Sequence, residues 1–231
     1  TMARLDKIKN ITGIVECFGL SEELKSRANL IGVTGAVREE LIKDEEELHE
    51  LKKIYQLIDE YNLHGKIRWL GKLSRRDGAE AYRIIADRGG VFVQPALFEA
   101  FGLTVLESMA SGLPIFATQF GGPLEIIEDG KSGFLINPSQ PHLMSPPILE
   151  FFKQCDENPD YWQTISNDGI ARVKSAYSWK LYSEKLLKFA KLYGFWNYSA
   201  LRDEKKEVDQ YCNLLFHLIY KKRAEALVNS T

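Results

Sequence analysis

Short apolar runs alternate with amphipathic segments along the first half of the chain. Four compact apolar runs, each ended by glycine, proline or polar residues, are predicted to be buried strands: 29–33, 66–70, 90–94 and 114–118. The segments beside them are predicted to be helices: 10–19, 44–62, 80–86 and 102–111. In the helix 44–62 the apolar residues recur every three or four positions, which gives it one apolar face suited to covering a sheet.

This alternation predicts an α/β fold in which helices cover both faces of a doubly wound parallel sheet. After Pro138 only helices are predicted, with Tyr193-Gly194 as one interruption and a long amphipathic helix at 203–227. We therefore predict a Rossmann-like domain over 1–138 and a helical extension over 139–231. No apolar run precedes Arg4, so the first strand is expected to be missing and the chain to be part of a longer protein.

Charge and composition limit the classes of partner and site that the chain can have. The 231 residues include 30 Lys and Arg against 32 Asp and Glu, a net charge of −2. This balance provides no basic field for a nucleic acid or an anionic membrane, so a bound anion needs a local site. With no membrane-spanning run and no signal sequence, a cytoplasmic protein is predicted. The three cysteines and four histidines lack the spacing of disulfide frameworks or zinc sites, so no metal is predicted.

The first candidate site is the loop over residues 4–10. Arg4, Lys7 and Lys9 lie within six positions directly before a predicted helix. The amide groups and dipole of a helix N-terminus also favour an anion, so the loop is a candidate phosphate site. A turn whose lysines are simply solvated explains the same residues.

The second candidate site is the loop over residues 94–107. Gly102 allows a ligand to approach the start of a helix, where free amide groups can bind a pyrophosphate. Glu107 lies about 7.5 Å further along the helix axis, which suits the ribose of a bound nucleotide. Glu99 precedes the helix and would face the other end of the ligand. Two carboxylates flanking a diphosphate suit a nucleotide sugar, although a glutamate on a helix is often only solvated.

The third loop, Gly121-Gly122-Pro123, is typical of a tight turn from a strand into a helix. By itself it indicates a turn and no function. It is expected to lie beside the second loop and to form one wall of the same crevice.

Taken together, these segments resemble the C-terminal, nucleotide-binding half of the retaining GT-B glycosyltransferases, most closely the sucrose synthase family. The element Glu99-x7-Glu107 with Gly102 is shared by many related transferases, whereas the Tyr-Gly-Phe-Trp segment is narrower. The matching segments are 2–10, 92–104, 121–127, 130–134 and 192–196.

The resemblance implies a role for each matching residue. Arg4 and Lys9 would neutralise the donor diphosphate, and Glu99 would hold hydroxyl groups of the transferred glucose. Glu107 would bind the ribose hydroxyls. The substrate-binding segment implied beside them consists of Phe101, Gly102, Leu103 and Thr104.

The implied reaction is reversible transfer of glucose between UDP-glucose or ADP-glucose and fructose, giving sucrose with retention of configuration. Both carboxylates have binding roles, and the nucleotide sugar is a substrate, so no cofactor is implied. The family binds the base with a Gln and an Asn before the helix around Tyr82, but the segment 71–78 contains neither residue type. The choice between UDP and ADP therefore stays open.

The resemblance also implies partners. The fructose site and a catalytic histidine belong to the family's N-terminal half, so this chain alone is expected to be inactive. Packing of the helical extension toward that half, and assembly into a homotetramer, are implied as well. Two alternatives remain open: another GT-B transferase, such as sucrose-phosphate synthase or a glycogen-synthase-like enzyme, or a non-catalytic nucleotide-binding or assembly module.

Overall fold

The computed structural model describes residues 1–35, 37–200, 205–221 and 225. Within them the strands are β1 (Leu30–Val33), β2 (Ile67–Leu70), β3 (Phe92–Gln94), β4 (Ile115–Thr118) and β5 (Phe134–Ile136). The first helices are α1 (Ile11–Leu20), α2 (Glu22–Arg27), α3 (Glu45–Glu60), α4 (Arg75–Asp87) and α5 (Leu103–Ala110). The remaining helices are α6 (Pro123–Ile126), α7 (Ser145–Glu157), α8 (Tyr161–Ala176), α9 (Trp179–Ala200) and α10 (Lys205–Leu215).

All of these strands run parallel to their neighbours. β1 and β2 form a two-stranded sheet, and β3, β4 and β5 form a three-stranded sheet with β4 in the middle. Residues 1–3 run alongside β1, where Met2 forms a parallel bridge with Val33. Parallel strands need long crossover connections, which the intervening helices supply.

Successive residues of the strands face opposite layers of helices. In β4, Phe116 packs in one apolar cluster with side chains of α1, α3 and α7, whereas Ile115 and Ala117 pack in a second cluster with α4 and α5. In β3, Val93 joins the first cluster and Phe92 the second. Because side chains alternate along a strand, helices must cover both faces of the sheet. The predicted doubly wound α/β fold is confirmed.

The four predicted strands are present, each beginning one or two residues later than predicted. β5 and the short helix α2 were not predicted. Helices follow β5, as expected, but the compact unit that contains the sheet continues past residue 138 to Tyr177. It does so because Ile148 and Phe151 of α7, and Ile165 of α8, are buried in the first apolar cluster.

The second compact unit is Ser178–Thr231. The predicted interruption at Tyr193-Gly194 is wrong, since α9 runs through both residues. A single glycine costs a helix only about 1 kcal/mol, which the rest of this long helix tolerates. The rings of Phe195 and Trp196 each lie 4.5 Å from that of Tyr211. Of the predicted helix 203–227, the structure shows α10 and a π-helical turn at Phe216–Tyr220, while 203–204, 222–224 and 226–227 lie outside the described residues.

Candidate functional site

The loop before α1 is fixed by hydrogen bonds to two other loops. After a 3₁₀ turn at Lys7–Lys9, Asn10 adopts a left-handed conformation with φ 53°. Its side-chain Nδ2 donates to the carbonyl oxygens of Pro95, at 3.0 Å, and Pro138, at 3.3 Å. The backbone amide of Leu97 donates to Ile8 at 2.8 Å. The first and second candidate loops are therefore held side by side, beyond the carboxyl end of β3.

This contact brings Lys9 and Glu99 together. The Lys9 ammonium lies 2.8 Å from Oε2 of Glu99, and the Gln94 side-chain amide donates to the same oxygen at 2.9 Å. The Glu99 side chain is only 14% exposed and that of Lys9 is 23% exposed. Among the described residues nothing donates to the other carboxylate oxygen, Oε1. Glu99 is thus held at one oxygen and keeps the second for a ligand.

The third loop supports Glu99 from the backbone side. The Glu99 amide donates to Phe120 at 3.1 Å, and its carbonyl accepts from the Gly122 amide at 2.7 Å. Gly121 has φ 102°, and a Cβ there would lie 2.1 Å from the Glu99 carbonyl oxygen. A Cβ on Gly122 would lie 2.2 Å from the Phe101 carbonyl oxygen. Only glycines allow this approach, and the prediction that the second and third loops adjoin is confirmed.

Gly102 is the N-cap residue before α5; it lies in the left-handed region, with φ 100°, and provides no side-chain cap. The amide groups of the first helical turn have no acceptor within the helix, so Leu103 and Thr104 present free donors at its positive end. The side chains of Phe101 and Leu103, beside this helix end, are exposed. The helix end can therefore accept an anionic group.

A cleft of about 870 Å³ is lined in part by α5, through Thr104 and Glu107. Arg4 also lines it. Further lining residues come from the segment before α4 and from α4 itself, including Lys72 and Tyr82. The cleft is large enough for a small organic ligand, because binding pockets of such ligands have volumes of about 300 to 1,000 Å³.

Two polar groups of this cleft are already engaged. The Tyr82 hydroxyl donates to the sulfur of Met2 at 3.3 Å. Burial raises the pKa of Tyr82, and the charge of Glu107 raises it further, so this hydroxyl stays protonated near neutrality. Arg4 pairs with Asp6 at 2.7 Å although its side chain is 77% exposed. An exposed pair of this kind contributes little to stability, which leaves Arg4 free to exchange partners.

The structure divides the predicted site residues into two groups. Lys9 and Glu99 form a partly buried pair, whereas Arg4, Thr104 and Glu107 line the open cleft. Phe101, Gly102 and Leu103 connect the two groups at the start of α5. Sequence reasoning had grouped Arg4 with Lys9, but in the structure they have different ionic partners. The roles implied for these residues stay predictions.

Two residues at the site were not predicted to have a role. Gln94 ends β3 and contacts Glu99, and Asn10 connects three loops. A polar residue at the carboxyl end of an otherwise apolar strand is a usable signal, because ligands of such folds bind at that edge. Asn10 gives the weaker signal, since asparagine is common at helix starts without any ligand.

The described residues contain no group of three or more His, Cys, Asp or Glu side chains that could hold a metal ion. None of their helices is long and apolar enough to cross a membrane.

Comparison with known proteins shows the family to which the chain belongs. A family model described as "Glycosyl transferases group 1" matches residues 1–165. The chain belongs to this family of glycosyltransferases. It is 56% identical, over 99% of its length, to the sucrose synthase of Thermosynechococcus vestitus, and 44% identical, over its full length, to sucrose synthase 2 of Arabidopsis thaliana. These matches cover 28% and 29% of the relatives, so the chain spans less than a third of their length.

Solved structures confirm the Rossmann-like GT-B fold. The sucrose-phosphate synthase of Thermosynechococcus elongatus aligns over 83% of this chain and 44% of its own, with a TM-score of 0.67 and 22% identity. Anabaena HepE in complex with UDP and glucose aligns over 82% of this chain and 47% of its own, with a TM-score of 0.67 and 19% identity.

Proposed function

We propose that this chain is the donor-binding part of a sucrose synthase. The observation that carries the proposal is the pair of glutamates on either side of one free helix end: Glu99 before α5 and Glu107 within it. Relatives that are 44% and 56% identical over nearly the whole chain are named sucrose synthase. The likeness to the sucrose-phosphate synthase, at 22% identity, extends to the fold alone.

The proposed donor is a nucleoside diphosphate glucose. Its diphosphate lies at the start of α5, where the free amides of the first turn meet the negative charge. Glu107 accepts hydrogen bonds from the ribose, with Thr104 beside it in the cleft. Glu99 accepts hydrogen bonds from glucose hydroxyls through the oxygen that has no partner among the described residues. Anabaena HepE, which shares the fold, has been solved with UDP-glucose.

Lys9 and Arg4 are the proposed counter-ions of the diphosphate. A lysine ammonium has three donors, so Lys9 can keep its bond to Glu99 while it also binds a phosphate oxygen. Arg4 is exposed and pairs only with Asp6 within the described part of the chain, which lets it move to the ligand. As the bond to glucose breaks, charge grows on the leaving diphosphate, and these cations stabilise that state.

The proposed reaction transfers glucose reversibly between the nucleotide and fructose with retention of configuration. Glu99 and Glu107 bind substrate and do not act as the acid and base of a glycosidase. The proposal includes no cofactor, because the nucleotide sugar is itself the substrate. The fructose site and a catalytic histidine are proposed to lie in a further N-terminal part, and assembly into a homo-oligomer is proposed as well.

The nucleotide base is proposed to lie against the segment before α4. In this segment the Ser74 hydroxyl is already used: it accepts from the Asp77 amide at 3.1 Å and lies 2.7 Å from the Asp77 carboxylate. Lys72 and Arg75 are the charged side chains of this segment that line the cleft and are available to contact a base. Neither residue distinguishes uracil from adenine by a paired set of donors and acceptors, so both nucleotides are proposed ligands.

Calorimetric titration of this chain with UDP, ADP and their glucose conjugates tests the proposal. The expected result is binding of at least one nucleotide and of its glucose conjugate. Incubation of the chain with the bound donor and fructose is expected to give no sucrose. The proposal fails if none of the four ligands binds, or if glucose conjugates of both nucleotides bind no differently from unrelated anions.

A further inference from the structure

Gln94 contacts Glu99 but has no assigned role. It is the last residue of β3, and its side chain is buried at 4% exposure. Nε2 donates to Oε2 of Glu99 at 2.9 Å, the same oxygen that accepts from Lys9. At the other side of the amide, the buried Oε1 of Gln94 has no hydrogen-bond partner among the described residues.

The orientation of this amide follows from chemistry. A rotation by 180° would place the carbonyl oxygen of Gln94 against a carboxylate oxygen, where both atoms are acceptors. The nitrogen must therefore face Glu99. The unpaired acceptor is the consequence of that choice, because no donor among the described residues bonds to it on the opposite side.

A buried acceptor without a partner is unfavourable for folding. Leaving such a group unsatisfied costs more than replacing it by an apolar group of similar shape. A leucine at position 94 would remove this cost and would fit the apolar run of β3. The stability of the fold therefore does not explain why position 94 carries an amide side chain. The contact of this amide with Glu99 is the remaining explanation.

A second donor changes what Glu99 can do. The terminal torsion of a glutamate is broad, so one hydrogen bond from Lys9 leaves the carboxylate free to turn. Lys9 comes from the loop before α1, whereas Gln94 comes from β3, so the two donors reach Oε2 from separate parts of the chain. Together they fix the carboxylate with Oε1 unoccupied.

We propose that Gln94 is a positioning residue that orients the Glu99 carboxylate toward hydroxyl groups of the sugar carried by the nucleotide. This inference rests on the proposed function, because it needs a sugar at Glu99. Gln94 does not contact the ligand, since its side chain is buried behind Glu99. Its effect is confined to the part of the affinity that the sugar contributes.

The test compares Gln94→Leu with the unsubstituted chain in titrations with UDP and UDP-glucose, or with ADP and ADP-glucose where ADP binds more tightly. The free nucleotide is expected to bind unchanged, and the glucose conjugate to bind roughly tenfold more weakly. The thermal unfolding midpoint is expected to stay the same or rise. Gln163→Leu, at an exposed position on α8, is the control and changes neither affinity.

A second variant removes the donor while keeping an unbranched side chain of similar length. Gln94→Met has no N–H to give, so Glu99 keeps only its bond from Lys9. Its affinity for the glucose conjugate is expected to fall about as far as that of Gln94→Leu, again without loss of nucleotide binding. A merely structural role would instead change the two affinities together with the unfolding midpoint.

The inference is overturned if Gln94→Leu binds the glucose conjugate as tightly as the unsubstituted chain. It is also overturned if nucleotide and conjugate lose the same factor. If the unsubstituted chain binds neither ligand, the proposed function has failed, and that result does not depend on any Gln94 variant.

Discussion

The two ends of the candidate site are built differently, although only the first turns of α5 separate them. At one end, Glu99 is nearly buried, accepts from two side chains and is bonded through its backbone to the third loop. At the other end, Glu107 is exposed on α5, and among the described residues its carboxylate accepts no hydrogen bond. The first end is organised by the protein, and the second is open to solvent.

This difference indicates what each end recognises. A group fixed before binding loses little entropy when a ligand arrives and discriminates strictly between ligand geometries. An exposed carboxylate must lose its hydration when it binds a ligand, and it tolerates more variation in the geometry of that ligand. We therefore expect the Glu99 end to select one sugar and the Glu107 end to accept more than one nucleotide.

The largest expected effect comes from removing the backbone support of Glu99. Gly121→Ala combines a left-handed conformation with a Cβ 2.1 Å from the Glu99 carbonyl oxygen, so we expect a loss of about 3 to 4 kcal/mol in the free energy of unfolding. Gly130→Ala is the matched control, because Gly130 has φ 73° but nothing within 4 Å of its Cβ position. The control should lose about 1 to 2 kcal/mol in urea unfolding. Equal losses would contradict the close loop contact.

The next effect tests the loop anchor. Asn10→Ala removes two hydrogen bonds to carbonyl groups and places alanine at φ 53°, so we expect a loss of about 2 to 3 kcal/mol in stability. Asn10→Gly loses the same bonds but adopts this conformation easily, and it should lose about 1 kcal/mol less. If the two variants have the same free energy of unfolding, the left-handed conformation of residue 10 has no part in holding the loop.

Truncating each of the two glutamates compares the two ends of the site directly by their effects on stability. Glu99→Ala leaves the buried Gln94 amide and the Lys9 ammonium without their acceptor, so a loss of about 2 kcal/mol is expected. Glu107→Ala should change stability by less than about 0.5 kcal/mol, because it removes an exposed side chain. Thermal and urea unfolding of both variants provide the measurement. A comparable loss for Glu107→Ala would contradict the description of that end as open.

The smallest effect on stability is expected for Arg4→Ala. Its pair with Asp6 is exposed, so the free energy of unfolding should change by less than about 0.5 kcal/mol. Nucleotide affinity should nevertheless fall, and the difference from the unsubstituted chain should shrink as salt is added. An affinity loss that is independent of salt would mean that Arg4 does not act through its charge.

Much of the fold follows from local patterns, and the exceptions have physical causes. The runs that became β1 to β4 are compact and bounded by turn residues, which makes them recognisable as strands. β5 directly follows a glycine-rich turn, and α2 is a short charged helix. Gly194 favours a helix end because glycine lowers helix stability locally, whereas the length of α9 supplies the compensating stability.

The loops of the candidate site were predictable from the sequence, whereas the ion pairs between their side chains were not. The three loops adjoin because parallel strands bring their carboxyl ends to one edge, which the alternation already implies. The partners of Arg4 and Lys9 depend on side-chain reach across non-adjacent loops, which no local pattern contains. Gln94 gives one local signal, as a polar residue at the end of an apolar run, but its contact with Glu99 depends on the turn between them.

The central claim is that the Glu107 end binds the nucleotide and the Glu99 end binds the sugar. Its most direct test is a titration of Glu99→Ala and Glu107→Ala with the nucleotide that binds more tightly and with its glucose conjugate. Glu107→Ala should weaken both ligands equally, by about 1 to 3 kcal/mol. Glu99→Ala should weaken only the glucose conjugate. The claim is contradicted if Glu99→Ala weakens the free nucleotide as much as the conjugate, or if Glu107→Ala leaves nucleotide binding unchanged.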